Sequence, residues 1–211
     1  MSSLDDIVHG LRQKLEVKNA VRDATLGRSR ELIRLSANSI RASHRGDFDQ
    51  AQALLSQARD LAREMREAVA DHRDLYYAGY TQDALKELAE AHITYAIIRD
   101  EPLPAADTLQ IEPPAYLNGL GEAMGEMRRH VLDLIREARL ERAEAVLTIM
   151  DEAYWHLVTI DFPSAITSDL RRTTDMVRGV LERTRADLTT SQEGARLRDA
   201  LQRFEERLSA P

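Results

Sequence analysis

Glu87 and Glu90 stand three residues apart in a stretch of helical periodicity, which puts both carboxylates on one helix face with Cβ atoms about 5 to 6 Å apart. That separation suits a shared hard divalent cation, and Asp83, one turn earlier, extends the acidic strip. A second acidic group comprises Asp151 and Glu152, with His156 four residues beyond Glu152 on the same face as a nitrogen ligand or proton-transfer group. The chain has no cysteine, so carboxylate oxygen or imidazole must hold any bound metal, and Mg²⁺ or Mn²⁺ is the expected ion. Cysteine nucleophiles and disulfides are excluded for the same reason. There is no Ser-His-Asp arrangement, glycine-rich phosphate loop or His-Glu-x-x-His. The competing reading of both acidic groups is a solvated helix face, because 36 Asp and Glu residues make such pairs common.

A basic stripe offers a different chemistry. Arg30, Arg34, Arg41 and Arg45 follow spacings of four, seven and four, keeping their guanidinium groups on roughly one side of a helix beside His44 and Arg28. Such a row suits the phosphates of RNA or single-stranded DNA, and Lys14, Lys18 and Arg22 add a second run at four-residue steps. The alternative is an ordinary polar face paired with acids such as Glu31. A net charge of −7 argues against a wholly basic nucleic-acid glove, so the distribution of the 29 Lys and Arg residues has to decide.

The elements that position these groups are helical throughout. With 211 residues and 43% hydrophobic side chains the chain can bury one sizeable core, which predicts a single domain over 1–211. Apolar residues from Leu4 through Ile7, Leu11, Leu15, Val21, Leu32, Ile33 and Ile40 keep one helical face, with no strong stop before Gly46. A helix of roughly 40 residues spans roughly 60 Å, more than a domain of this size is wide, so part of it needs a partner chain. Asp47 with Gln50 reads as a capping box for a second helix, and Thr81 as the cap of a third that carries the Glu87 pair. Pro102 and Pro104 close the third helix, and Pro114 opens the fourth. A fifth runs through Val146, Met150 and Leu157, a sixth from about Thr167 to Leu188 and a seventh from about Ser191 to Leu208. No stretch reaches eighteen consecutive apolar residues, and Met1 to Gly10 lacks an apolar signal segment, so a cytoplasmic protein with no membrane association is expected.

Several separate blocks resemble one family. Val21-Arg22-Asp23-Ala24 to Arg45, then Asp74-Leu75-Tyr76-Tyr77-Ala78-Gly79 leading into Ala84-Leu85-Lys86-Glu87-Leu88-Ala89-Glu90-Ala91, is similar to translin and its partner, translin-associated factor X (TRAX). Tyr116-Leu117-Asn118-Gly119-Leu120 with Gly125-Glu126-Met127-Arg128-Arg129, and Phe162-Pro163 with Leu170-Arg171-Arg172, extend the resemblance in order over nearly the whole chain. It implies an all-α, seven-helix bundle with a long N-terminal helix, assembled into homo-oligomeric shells, octamers by resemblance, that hold RNA or single-stranded DNA. Glu87, Glu90 and Ala91 match the Glu-x-x-Glu-Ala of the factor-X branch, which carries a metal-dependent endoribonuclease site. That branch places a further carboxylate after a helix-five tyrosine, where this chain has Trp155 after Tyr154. Glu152, one turn earlier, is the expected third ligand, with Asp151 as the alternative. The implied activity is Mg²⁺- or Mn²⁺-dependent cleavage of single-stranded RNA by Glu87, Glu90 and Glu152, with Arg30, Arg34, Arg41 and Arg45 on the RNA backbone. A non-catalytic shell that only binds RNA or single-stranded DNA is the rival implication.

Overall fold

A computed structural model describes residues 3–209, with Ser209 described by its backbone alone. Nine helical segments and no strands occur among the described residues, in keeping with the all-α expectation. Contacts divide the described residues into 3–119 and 120–209.

The first group begins with α1, Leu4–His44, whose 41 residues match the length expected from the apolar pattern. Ser3 and Asp6 close a reciprocal capping box at its start: the Asp6 amide donates to Ser3 Oγ at 3.1 Å and the Ser3 amide to Asp6 Oδ2 at 3.0 Å. Gly10 and Gly27 pass without breaking it. Only its second half is buried, from Thr25 to Ser43, where α2 (Phe48–Ala68) and α4 (Gly79–Arg99) pack against it. Small side chains allow a close α1–α2 approach. Ser29 Oγ donates to the Thr25 carbonyl and also contacts the Met65 sulfur, Ser39 Oγ donates to the Ala51 carbonyl, and Ala51, Ala58 and Ala62 are fully buried.

Two local expectations are corrected here. Asp47 precedes α2, but its side chain makes no cap hydrogen bond because its backbone (ψ 69°) is not in the extended geometry a side-chain cap needs; Gln50 instead accepts from Arg45 Nη2 at 3.1 Å. Thr81 is not a cap but the third residue of α4, its hydroxyl donating to the Leu75 carbonyl at 2.8 Å. That carbonyl belongs to α3, Arg73–Tyr76, a single turn formed inside the aromatic connection. α4 is buried nearly all round, from Thr81 through Leu85, Leu88 and Ile93 to Ile97, so it is the central helix of this group rather than an amphipathic surface one. The following proline-rich segment contains one turn, α5 (Ala106–Leu109). It is tied down by Arg66 Nη2 donating to Gln110 Oε1, Tyr76 Oη to Glu112 Oε1, and Tyr116 Oη to the Pro104 carbonyl. α6 (Pro113–Arg136) starts on Pro113 and runs unbroken through Gly119.

The second group comprises the rest of α6, then α7 (Leu140–Val158), α8 (Ser164–Thr167) and α9 (Leu170–Ser209). The expected sixth and seventh helices are one continuous helix of 40 residues. No glycine or proline lies between Leu188 and Ser191, and the hydroxyls of Thr189, Thr190 and Ser191 donate to carbonyls four residues back instead of capping a new start. α7 and α9 pack together, with Met150 and Leu188 buried and Asp151 Oδ1 and Oδ2 both accepting from Arg185 Nη2 at 2.6 Å. Beyond Ser191 the apolar residues Leu197, Leu201, Phe204 and Leu208 are all exposed. No helix among the described residues is long and apolar enough to cross a membrane.

Candidate functional site

Glu87 and Glu90 lie one turn apart on α4, and Glu90 is only 9% exposed between the fully buried Ala89 and Ala91. A carboxylate buried to this degree needs a compensating partner, because burying charge without one is costly. Lys86 stands beside the other carboxylate of the pair, with Nζ 3.5 Å from Glu87 Oε1. The rest of the site follows from a glycine. At Gly119 α6 touches the α4 backbone so closely that a Cβ there would lie 2.7 Å from the Lys86 carbonyl oxygen and 2.8 Å from Ala89 Cβ. One turn farther along the same helix stands the half-buried Glu122. Two carboxylates one turn apart on a helix fit a shared hard divalent cation.

Sequence reasoning brought out the α4 pair but missed the close approach of Gly119 to it, because a helical glycine has no meaning until its neighbour is known. Asp83 is exposed. Glu152 is exposed on α7, on the side opposite the buried Met150, Ala153 and Leu157. Asp151 is engaged with Arg185, Trp155 is 67% exposed, and His156 is exposed.

The four arginines all reach solvent. Arg34 makes a two-point contact with Glu31, Nε to Oε2 at 2.8 Å and Nη2 to Oε1 at 2.5 Å, which holds the Glu31 carboxyl below its ordinary range. Arg41 Nη1 donates to Asn38 Oδ1 at 2.6 Å and Arg45 to Gln50, while Arg30 is exposed on the same helix. Neighbours on the same surface therefore orient three of the four side chains, leaving guanidinium edges toward solvent.

No family model matches the chain. An uncharacterised protein of Methanocaldococcus jannaschii is 30% identical over 209 residues, covering 97% of this chain and 91% of that one. Among solved structures, the crystal structure of AfC3PO is 30% identical with a TM-score of 0.81, covering 89% of this chain and 97% of its own. A structure of AfC3PO in complex with duplex RNA is 31% identical over the same shares, with a TM-score of 0.76. Apo-NeC3PO, at 21% identity and a TM-score of 0.81 over 90% of this chain and 100% of its own, shares the fold. With the C3PO backbone and 30% identity over nearly the full length of AfC3PO, the chain belongs to the C3PO family of translin-like proteins.

Proposed function

We propose that this protein is a metal-dependent endoribonuclease of the factor-X type that binds and cleaves single-stranded RNA within a homo-oligomeric shell, an octamer by resemblance. The observation that carries the reading is the carboxylate pair Glu87 and Glu90, one turn apart on α4 with Glu90 only 9% exposed, and Glu122 of α6 is the proposed third ligand. An all-oxygen donor set of this kind fits Mg²⁺ or Mn²⁺. When bound, such an ion supplies Lewis acidity, lowering the pKa of a water and offsetting charge on the phosphate under attack. Glu90, fixed in the buried middle of α4, sets the position of the site, while Lys86 beside Glu87 limits the negative charge left to balance. Arg30, Arg34, Arg41 and Arg45 hold the RNA backbone without reading bases, so strand type and length matter more than sequence. RNA as the ligand class is supported by the AfC3PO relative solved with duplex RNA. Self-assembly is supported by two exposed apolar stripes, Leu4, Ile7, Val8, Leu11 and Leu15 on α1 and Leu197 to Leu208 on α9.

A non-catalytic RNA-binding shell is the second reading, favoured by Trp155 standing where the factor-X pattern carries an acid. Incubating purified protein with single-stranded RNA and either metal separates the two. The nuclease reading expects cleavage that EDTA abolishes; tight binding without cleavage in both metals leaves the shell.

A further inference from the structure

A second polar cleft lies away from the carboxylates, where α2 meets the segment around α5. Ser56, Arg59, Arg63 and Arg66 of α2 face Thr108 and Gln110 across about 270 Å³. The arginines recur at spacings of four and three, so one helix face delivers all three guanidinium groups to the same side. Arg66 is the anchor. Its Nη2 donates to Gln110 Oε1 at 2.9 Å, but its Nη1 is buried with no acceptor among the described protein groups. Burial is also the chief influence on its ionisation, pushing its pKa down, with the positive charge of Arg63 acting in the same direction. Arg63 is steadied by Asp60 at 3.0 Å. Asp60 in the cleft and Glu67, whose charge acts on Arg66, offset part of the three guanidinium charges, and the cleft stays net positive. His92, whose pKa burial lowers to about 4, adds none near neutral pH.

A buried guanidinium N–H facing a net positive cleft is complemented by an oxyanion with several acceptor oxygens. We propose that Arg59, Arg63 and Arg66 form a site for a phosphate monoester, with Ser56 and Thr108 lending hydroxyls to its oxygens. A terminal phosphate group offers three free oxygens to the three guanidinium groups, where an interior phosphodiester offers two. Its source is either a free mononucleotide or the end of an RNA chain. The site stands independently of the carboxylate centre, so either can fail without the other.

The test is calorimetric titration of the full-length protein in EDTA at constant ionic strength. The ligands are inorganic phosphate, adenosine 5′-monophosphate, adenosine, and one short RNA with and without a 5′-phosphate. Saturable binding of adenosine monophosphate but not adenosine is expected. The double substitution Arg59→Gln with Arg63→Gln, at exposed positions, should weaken it about tenfold or more while leaving the thermal melt unchanged. Glu90→Gln should leave it intact. Tighter binding of the 5′-phosphorylated RNA than of its hydroxyl form assigns the site to RNA ends; equal binding of the two RNAs assigns it to free nucleotide. Absence of saturable binding by any phosphate monoester, or binding unchanged in the double variant, overturns the proposal.

Discussion

Gly119 rests on the α4 backbone beside Glu90: a Cβ at position 119 would stand 3.1 Å from the Glu90 nitrogen, closer still to the Lys86 carbonyl oxygen. Backbone cannot retreat as a flexible side chain can, so Gly119→Ala must push α6 away from α4. The expected cost is about 1 to 3 kcal/mol of stability, read by chemical denaturation. In the folded fraction Mn²⁺ affinity should fall more than RNA affinity, because the strain falls on the turn of α4 that carries Glu87 and Glu90. A variant with unaltered stability would mean that α6 is not held at that distance.

The identity of the third carboxylate is decided by a pair of substitutions. Glu122→Gln preserves side-chain shape and removes one charge, and should lower RNA cleavage at least a hundredfold with binding retained. Glu152→Gln, at an exposed position of α7, should leave cleavage within about twofold of wild type. The opposite pattern would move the third ligand to α7.

How far the sequence reaches is visible in these same residues. Helical period and the scarcity of stops were enough for α1, because a 41-residue amphipathic run has no competing reading. The Glu87 and Glu90 pair was legible because both lie on one helix, where spacing alone sets geometry. The contact of Gly119 with the α4 backbone was not, since spacing does not encode which helices meet. The junction near Ser191 failed for a local reason. Serine and threonine hydroxyls can either cap a helix or bond back into it, and here they bond back. Asp47 failed likewise, its cap role depending on a backbone angle that residue type does not fix.

Burial of His92 predicts a pH-dependent stability. Its Nε2 is buried without an acceptor, and burial, aided by the charge of Arg59, lowers its pKa from 6.5 to about 4. Between those values the unfolded chain takes up a proton that the folded chain refuses, so stability is full above the unfolded pKa and is lost as pH falls. Wild type should lose about 2 kcal/mol more than His92→Phe between pH 7 and pH 5, measured by denaturant melts. Parallel pH profiles would show that His92 does not contribute.

Assembly is expected to depend on the outer half of α1. Leu11 and Leu15 are 55% and 66% exposed on one helical face, so Leu11→Lys with Leu15→Lys leaves the buried second half untouched. Light scattering at micromolar concentration should show a large oligomer for wild type and a smaller species for the variant. A monomeric wild type would contradict the shell.

The most direct measurement of the central claim concerns Glu90. Glu90→Gln replaces the more buried carboxylate of the α4 pair with a neutral side chain of the same shape. Cleavage of single-stranded RNA and equilibrium Mn²⁺ binding should be followed on the same preparations, with RNA affinity and oligomer size as controls. The account predicts that the variant loses cleavage and metal affinity together while both controls stay near wild type. Cleavage that persists in Glu90→Gln at wild-type rate, or in wild type with all divalent metal removed, would contradict it.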